Sequence, residues 1–279
     1  MSKKALTVGG IISAVAILLV VTIGASGLVA ISVLNSNSDD ATTTTTQCPS
    51  TTEQVVNAVP KVTETTTTKA VTQPEELTQP EELTQLLEKT GYDYDDLKGT
   101  RQLLVVTGGN GDYYLQRYEC TDGVWQSTGV KSKAFVGKNG TISPDKKFEG
   151  DYYSPQGLYD LGFAFGKNKN PGTNMEYRDV YEGIYWVDDP KSEFYNQWVD
   201  GKNQEISWAS AEKLWTYDEY IYGAVIEYNT DPIAENKGSA IFLHVGYKYT
   251  AGCVASDEAT IVSVLKWLNP KDNPKILIY

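Results

Sequence analysis

The sequence predicts a mainly β domain with a few short helices, carried behind an apolar N-terminal segment and a polar tether. Three observations lead there. Tyrosine (19) and glycine (24) are abundant among the 279 residues, while phenylalanine stands at 6. Tyrosine and β-branched residues favour pleated surfaces, and frequent glycine turns cut them into short strands. Strand-like runs separated by such turns begin at Arg101, whereas 35–80 is polar, repetitive and free of aromatic residues. That stretch has nothing to bury, so the core belongs to one domain of ordinary size over 81–279.

Lys3 and Lys4 precede an uncharged apolar run over 8–34. A membrane span needs ~20 apolar residues, and a secretory leader's apolar part is only ~7–15. The lysines lie before the run and no basic cluster follows it, which keeps the N-terminus cytoplasmic and the remainder outside. The expectation is an uncleaved single-pass anchor in the cell membrane over 1–34, with Ala25-Ser26-Gly27 the place where a leader would be cut. The linker over 35–80 holds threonine runs at 42–46 and 65–68 and the tandem hexads that start at Gln73 and Gln79. It reads as an extended, disordered tether.

Leu83, Leu86 and Leu87 suggest a short helix leading into the domain. The runs 103–107 and 113–118 read as strands joined at Gly108-Gly-Asn-Gly111, and a third run carries Trp125 after Asp122-Gly123. A Gly/Pro-rich loop over 147–159 delivers the chain into 161–166. The stretch 207–215 reads as a short helix, and 221–229 as an apolar strand expected beside the strand of His244. Ile261, Val264, Leu265 and Leu268 make a helical stripe, with Ser256 as N-cap and Asn269-Pro270 as the stop. The apolar run 275–279 is expected in the middle of a sheet.

The net charge of −12 leaves no basic patch for nucleic acid. Cys48, Cys120 and Cys253 form no disulfide framework, and a single histidine without a CxxC pair implies neither a metal site nor a cofactor. That histidine, His244, ends the apolar run 240–243. Cys253 follows nine residues later, behind Gly252 and ahead of the helix signal. A helix N-terminus favours a thiolate, and the missing side chain of Gly252 lets backbone N–H groups face a reacting carbonyl. Taken alone, the pair reads equally as a catalytic dyad or as a buried thiol beside a core histidine. Asp188-Asp189 before Pro190 reads as a turn rather than as paired catalytic carboxylates. Tyr152, Tyr153, Tyr222 and Tyr228 read as packing residues.

Gly238-Ser-Ala-Ile-Phe-Leu-His244 with Thr250-Ala-Gly-Cys-Val254 resembles the signature of L,D-transpeptidase (YkuD-type) catalytic domains, in the branch with a short His-to-Cys interval. Phe148-Glu-Gly-Asp151 with Ser154-Pro-Gln-Gly157 is similar to the family's EGDG-x-TP-x-G loop. Ala164-Phe-Gly166, Trp186-Val-Asp-Asp-Pro190 and Tyr195-Asn196 follow in the family's order, so the resemblance spans 103–279. It implies a β-sandwich outside the cell that acts on peptidoglycan stem peptides. Cys253 would be the nucleophile and His244 the base. Backbone N–H groups of Gly252 and Cys253, with Ala251, would form the oxyanion hole, and Thr250 would shape the substrate pocket. A backbone carbonyl near Val245 or Gly246 is expected to orient the imidazole. The family's second histidine is replaced by Ala251, and Ala255 stands where an arginine or asparagine is common. These departures keep a non-catalytic wall-binding or adhesive domain as the alternative. A sortase-like enzyme fits less well, because its histidine lies far from its cysteine in sequence and it needs an arginine.

Overall fold

The computed structural model describes residues 78–279. The anchor over 1–34, the tether up to residue 77 and Cys48 lie outside the described residues. Among the described residues, no helix is long and apolar enough to cross a membrane.

Leu83 and Leu87, four apart, give helix α1 (Glu81–Thr90) one buried edge, and Gly91 closes it at φ 79°. The chain runs through β1 (Gln102–Gly109), β2 (Asp112–Thr121) and β3 (Val124–Ala134). Asn110 and Gly111 (φ 53° and 88°), then Asp122 and Gly123 (φ 52° and 81°), make the two reversals. Paired positive φ values give the tight turns whose twist matches the strands. Next come β4 (Thr141–Ile142), β5 (Ser154–Pro155), β6 (Gly157–Gly166), β7 (Tyr177–Asp179), β8 (Ile184–Val187), β9 (Trp198–Asp200) and β10 (Ala211–Lys213). After them follow β11 (Gly223–Ile226), β12 (Phe242–Val245), β13 (Val254–Ser256), helix α2 (Glu258–Trp267) and β14 (Lys275–Ile278).

The main sheet has nine strands in the order β13-β12-β11-β6-β14-β1-β2-β3, with β7 added on β6. The mainly β expectation holds, but the layering differs from the expected sandwich. One sheet curls until its ends meet: Phe135, just past β3, exchanges two backbone hydrogen bonds of 2.8 Å with Ala255 of β13. Two small sheets stand beside it, β10-β8-β9 and the parallel pair β4-β5. The apolar run of β14 lies between β6 and β1, at the sheet's centre.

Alternation across the strands divides the core. Leu104, Val106, Ile276 and Ile278 pack with Ile261, Val264 and Leu265 of α2. Leu103, Val105 and Leu277 pack with Leu83 and Leu87 of α1. A third cluster, rich in aromatics, unites Phe165, Trp186, Tyr220, Phe242 and Cys253.

Two local expectations are corrected. The stretch 207–215 is helical only at its end, where a 3-10 turn covers Leu214–Thr216: Ala211–Lys213 pairs with β8, and Trp208 packs edge-on against Tyr185 and Phe194. Tertiary contacts there override helix propensity. The N-cap of α2 is Asp257, whose side chain accepts from Thr260 N–H at 3.0 Å. Ser256 is instead the last residue of β13, and its hydroxyl donates to the carbonyl of Lys133.

Candidate active site

β12 places His244 beside two strands, opposite Gly223 of β11 and in parallel register with Ala255 of β13. The chain between them turns back, so that Cys253, two residues before Ala255, comes to the same cavity as His244. That cavity measures about 380 Å³, and Thr250, Ala251 and Gly252 line it too. All the residues singled out for a thiol site therefore converge.

His244 is buried, and its Nδ1 lies 2.7 Å from the carbonyl oxygen of Val245. A carbonyl only accepts, so Nδ1 carries the proton and Nε2 keeps its lone pair. Tyr220 packs edge-to-face on the ring at 5.4 Å. Burial holds the imidazole below its ordinary value, against the opposing pull of the Val245 carbonyl and the Glu219 charge. His244 is thus a neutral base at pH 7.

The thiol is poised differently from the expectation. The strand β13 separates Cys253 from α2, so the positive end of the helix does not act on it directly. Sγ donates to the carbonyl of Ala240 (3.2 Å) and accepts from Phe242 N–H (3.4 Å). Burial pushes the thiol well above its usual range, and the Glu212 charge adds to the rise. Phe242 N–H and the Lys147 charge oppose it. With Cys48 and Cys120 replaced by serine, Cys253 should resist iodoacetamide at pH 7 and label only as the solution is made alkaline. Rapid stoichiometric alkylation at pH 7, followed by peptide mass spectrometry, would contradict that resting state.

A small network fixes the turn before the thiol. Thr250 Oγ1 donates to the carbonyl of Cys253 (2.7 Å) and accepts from Gly252 N–H (3.1 Å). Thr250 therefore ties the nucleophile's own turn as well as lining the pocket. Since Gly252 N–H is engaged there, the oxyanion donors of the expected set reduce to Ala251 and Cys253. Space at Gly252 is tight, since an added Cβ would lie 3.1 Å from the Tyr153 carbonyl oxygen. Fully buried Ser154 gives a second bond to the Cys253 carbonyl (2.8 Å) while accepting from Gly137 N–H (2.9 Å). Ala255 is also fully buried, at the seam where the sheet closes. A long cationic side chain has no room there.

The loop ahead of β5 forms one cavity wall. Asp151 accepts from Lys147 Nζ (2.6 Å) and from the N–H groups of Phe148 and Tyr153 (each 3.0 Å). Glu149 accepts from Tyr195 (2.6 Å) and Ser239 (2.8 Å). Tyr152, held at φ 61°, is half exposed at the mouth, where Tyr217, Tyr247 and Tyr249 are also exposed.

Sequence reasoning missed Glu212 and Tyr220, which line the cavity together with Asp188, read from the sequence only as part of a turn. Glu212 was hidden in the stretch read as a helix; an acid between the apolar Trp208 and Leu214 was the only signal. The hydroxyl of Tyr220 donates to Glu212 Oε2. Burial pushes the Glu212 carboxyl up to about 7 from its usual 4.5, with the charges of Asp188 and Glu149 adding to the rise and Tyr220 opposing it. The folded value exceeds the unfolded one. This contribution to stability is therefore complete below the ordinary carboxylate value and is lost as pH rises through about 7. Glu212→Gln should melt with the wild type near pH 4 yet be more stable at pH 8, by on the order of 3 kcal/mol. Coincident melting curves at both pH values would refute this.

No family model matches the sequence, and no curated protein matches it. Among solved structures, the chain is similar to the helical cell shape determining protein Pgp2 from Campylobacter jejuni, at 15% identity and a TM-score of 0.35. The match covers 64% of this chain and 47% of that one, so the chain spans under half of that structure's length.

Proposed function

We propose that the domain is a cysteine acyltransferase of the L,D-transpeptidase type that acts on peptidoglycan stem peptides outside the cell. The observation that supports this most is the meeting of a thiol and a neutral imidazole, with Nε2 unprotonated, in one open cavity. In this reading the Cys253 proton leaves the Ala240 carbonyl for His244 Nε2 as Sγ attacks the carbonyl that follows the third stem residue. N–H groups of Ala251 and Cys253 receive the oxyanion. The C–N bond breaks, His244 returns the proton to the leaving D-alanine amine, and a thioester remains. An amine from a neighbouring stem, or water, then attacks it. The attacking group loses a proton to His244, which passes it to the departing thiolate. The thiol need not be ionised at rest, since proton and bond move together.

A second reading, a non-catalytic wall-binding domain, draws on the resting thiol, which is buried, neutral and bonded to backbone. Incubating the protein with muropeptides separates the two. Loss of D-alanine and appearance of 3→3 dimers or tripeptides by mass spectrometry supports the enzyme. Muropeptides bound but returned intact would favour the binding domain. The proposal includes the sequence reading of 1–34 as a membrane anchor and of 35–80 as a spacer between it and the domain, all but 78–80 of them outside the described residues.

A further inference from the structure

Resting on the acyl-transfer reading, we propose that Tyr152, Tyr217, Tyr247 and Tyr249 form a saccharide subsite at the mouth of the Cys253 cavity. It would hold the sugar that carries the stem peptide. Six tyrosines among the described residues are exposed, and these four line one opening. They come from three separate segments: the loop ahead of β5, the turn after β10, and the chain between β12 and β13. Between 45% and 68% of each stays accessible, so their rings are not spent on the domain's own core. Aromatic surface gathered in this way marks a contact site rather than a solvated face.

Backbone geometry supports the same reading. Tyr152 is held at φ 61°, a region that a bulky residue enters only when its surroundings impose it. Asp151 accepts from the flanking N–H groups of Phe148 and Tyr153, and the Tyr152 carbonyl accepts from Asn139 N–H at 3.0 Å. The loop is thus tied into a shape that leaves its ring half exposed at the opening. Tyr217 is braced edge-on by Tyr220 at 5.4 Å, and Lys138 Nζ lies 5.8 Å from the centre of the Tyr249 ring. Braced tyrosines lose little freedom when a ligand arrives.

The chemistry of the rim selects its occupant. A phenol offers an apolar face and a hydroxyl edge, and a pyranose offers a face of C–H groups with hydroxyls around it. Glu149, Asp188, Glu212 and Glu219 line the same cavity, which disfavours phosphate, nucleic acid and anionic lipid. An aliphatic partner would bury the tyrosine hydroxyls without a hydrogen bond. An uncharged N-acetylated sugar meets neither objection. Reach agrees as well, since three extended residues span about 10 Å. With the third residue's carbonyl at Cys253, the sugar on the first residue therefore lies at the rim.

Calorimetry on the full chain carrying Cys253→Ala tests this with two probes, a stem tetrapeptide and the same tetrapeptide on its disaccharide. The disaccharide probe should bind at least tenfold more tightly. Adding Tyr247→Ala with Tyr249→Ala should remove most of that preference, whereas Tyr247→Phe with Tyr249→Phe should keep it, because the rings still stack. Tyr217→Ala, on a different segment, repeats the test if melting curves show the loop variant unfolded. Equal affinity for the two probes, a preference that survives the alanine changes, a loss shared equally by both probes, or no binding of the disaccharide probe overturns the subsite. D-alanine release from the sugar-free tetrapeptide by the wild type reads the enzyme proposal separately. Release without a sugar preference leaves the enzyme and removes the subsite. A sugar preference without release leaves the rim, on a binding domain.

Discussion

If the proposed acyl transfer is this domain's reaction, Cys253→Ala should lower D-alanine release from stem tetrapeptides by on the order of 10⁴-fold or more, to the level left by binding and oxyanion contacts alone. The alanine variant retains the fold, because Cys253 contributes only a small side chain to an aromatic cluster held by Phe165, Trp186, Tyr220 and Phe242. His244→Ala should cost about as much, and the double variant no more than either single one. Groups that act as one unit lose their joint contribution at the first deletion. Intact turnover in Cys253→Ala, measured by mass spectrometry of the released amino acid, would remove the thiol from the reaction. Cys253→Ser gives a stricter control. It keeps a nucleophilic atom in place, yet a hydroxyl needs more help from His244, so little rate should return.

Asp151→Ala should destabilise the domain by about 3–5 kcal/mol, the cost of stranding a buried cation. The side chains of Lys147 and Asp151 are 3% and 1% exposed, so water cannot replace the lost partner. The same carboxylate also accepts two backbone N–H groups of its loop, which the substitution leaves without an acceptor. Replacing Lys147 and Asp151 together by methionine and leucine should cost clearly less than the single change, because no unpaired charge is then buried. Urea unfolding of the three proteins measures both quantities. A loss below about 1 kcal/mol for Asp151→Ala would mean that Lys147 finds solvent or sheds its proton.

How legible this molecule is depends on whether a residue's partners lie near it in sequence. The hairpins at Asn110-Gly111 and Asp122-Gly123 were plain, since a two-residue reversal is a local decision. So were the apolar stripe of α2 and the central place of β14, whose every residue must tolerate burial. His244 and Cys253 were found together because a lone histidine and a nearby cysteine are rare enough to compare. The closure of the sheet was not legible. The pairing of Phe135 with Ala255 depends on curvature accumulated over the whole sheet, and nothing around either residue announces it. Glu212 and Asp188 were hidden for the same reason. One was buried in a stretch with helical composition and the other in a turn ahead of Pro190, and only the pairing of β8 with β10 brings them to one wall. Cap position was a smaller miss: Ser256 and Asp257 are both good caps, and the pairing of β13 with β12, which sets Ser256 beside Val245, decides for Asp257.

The place of β14 at the centre of the sheet has a consequence for the order of assembly. It bridges β1 in parallel and β6 antiparallel, so the half carrying β1 to β3 and the half carrying β6 with β11 to β13 have no continuous ladder between them until this strand arrives. Contacts so distant along the chain are slow to form, since loop closure must come before any reward. During synthesis the Cys253 turn therefore emerges before the strand that unites its scaffold. The aromatic cluster around the thiol contains no residue of β14, but the apolar edges of β1 and β6 stay unpaired until that strand arrives, and the newborn chain is more open to aggregation than the finished protein.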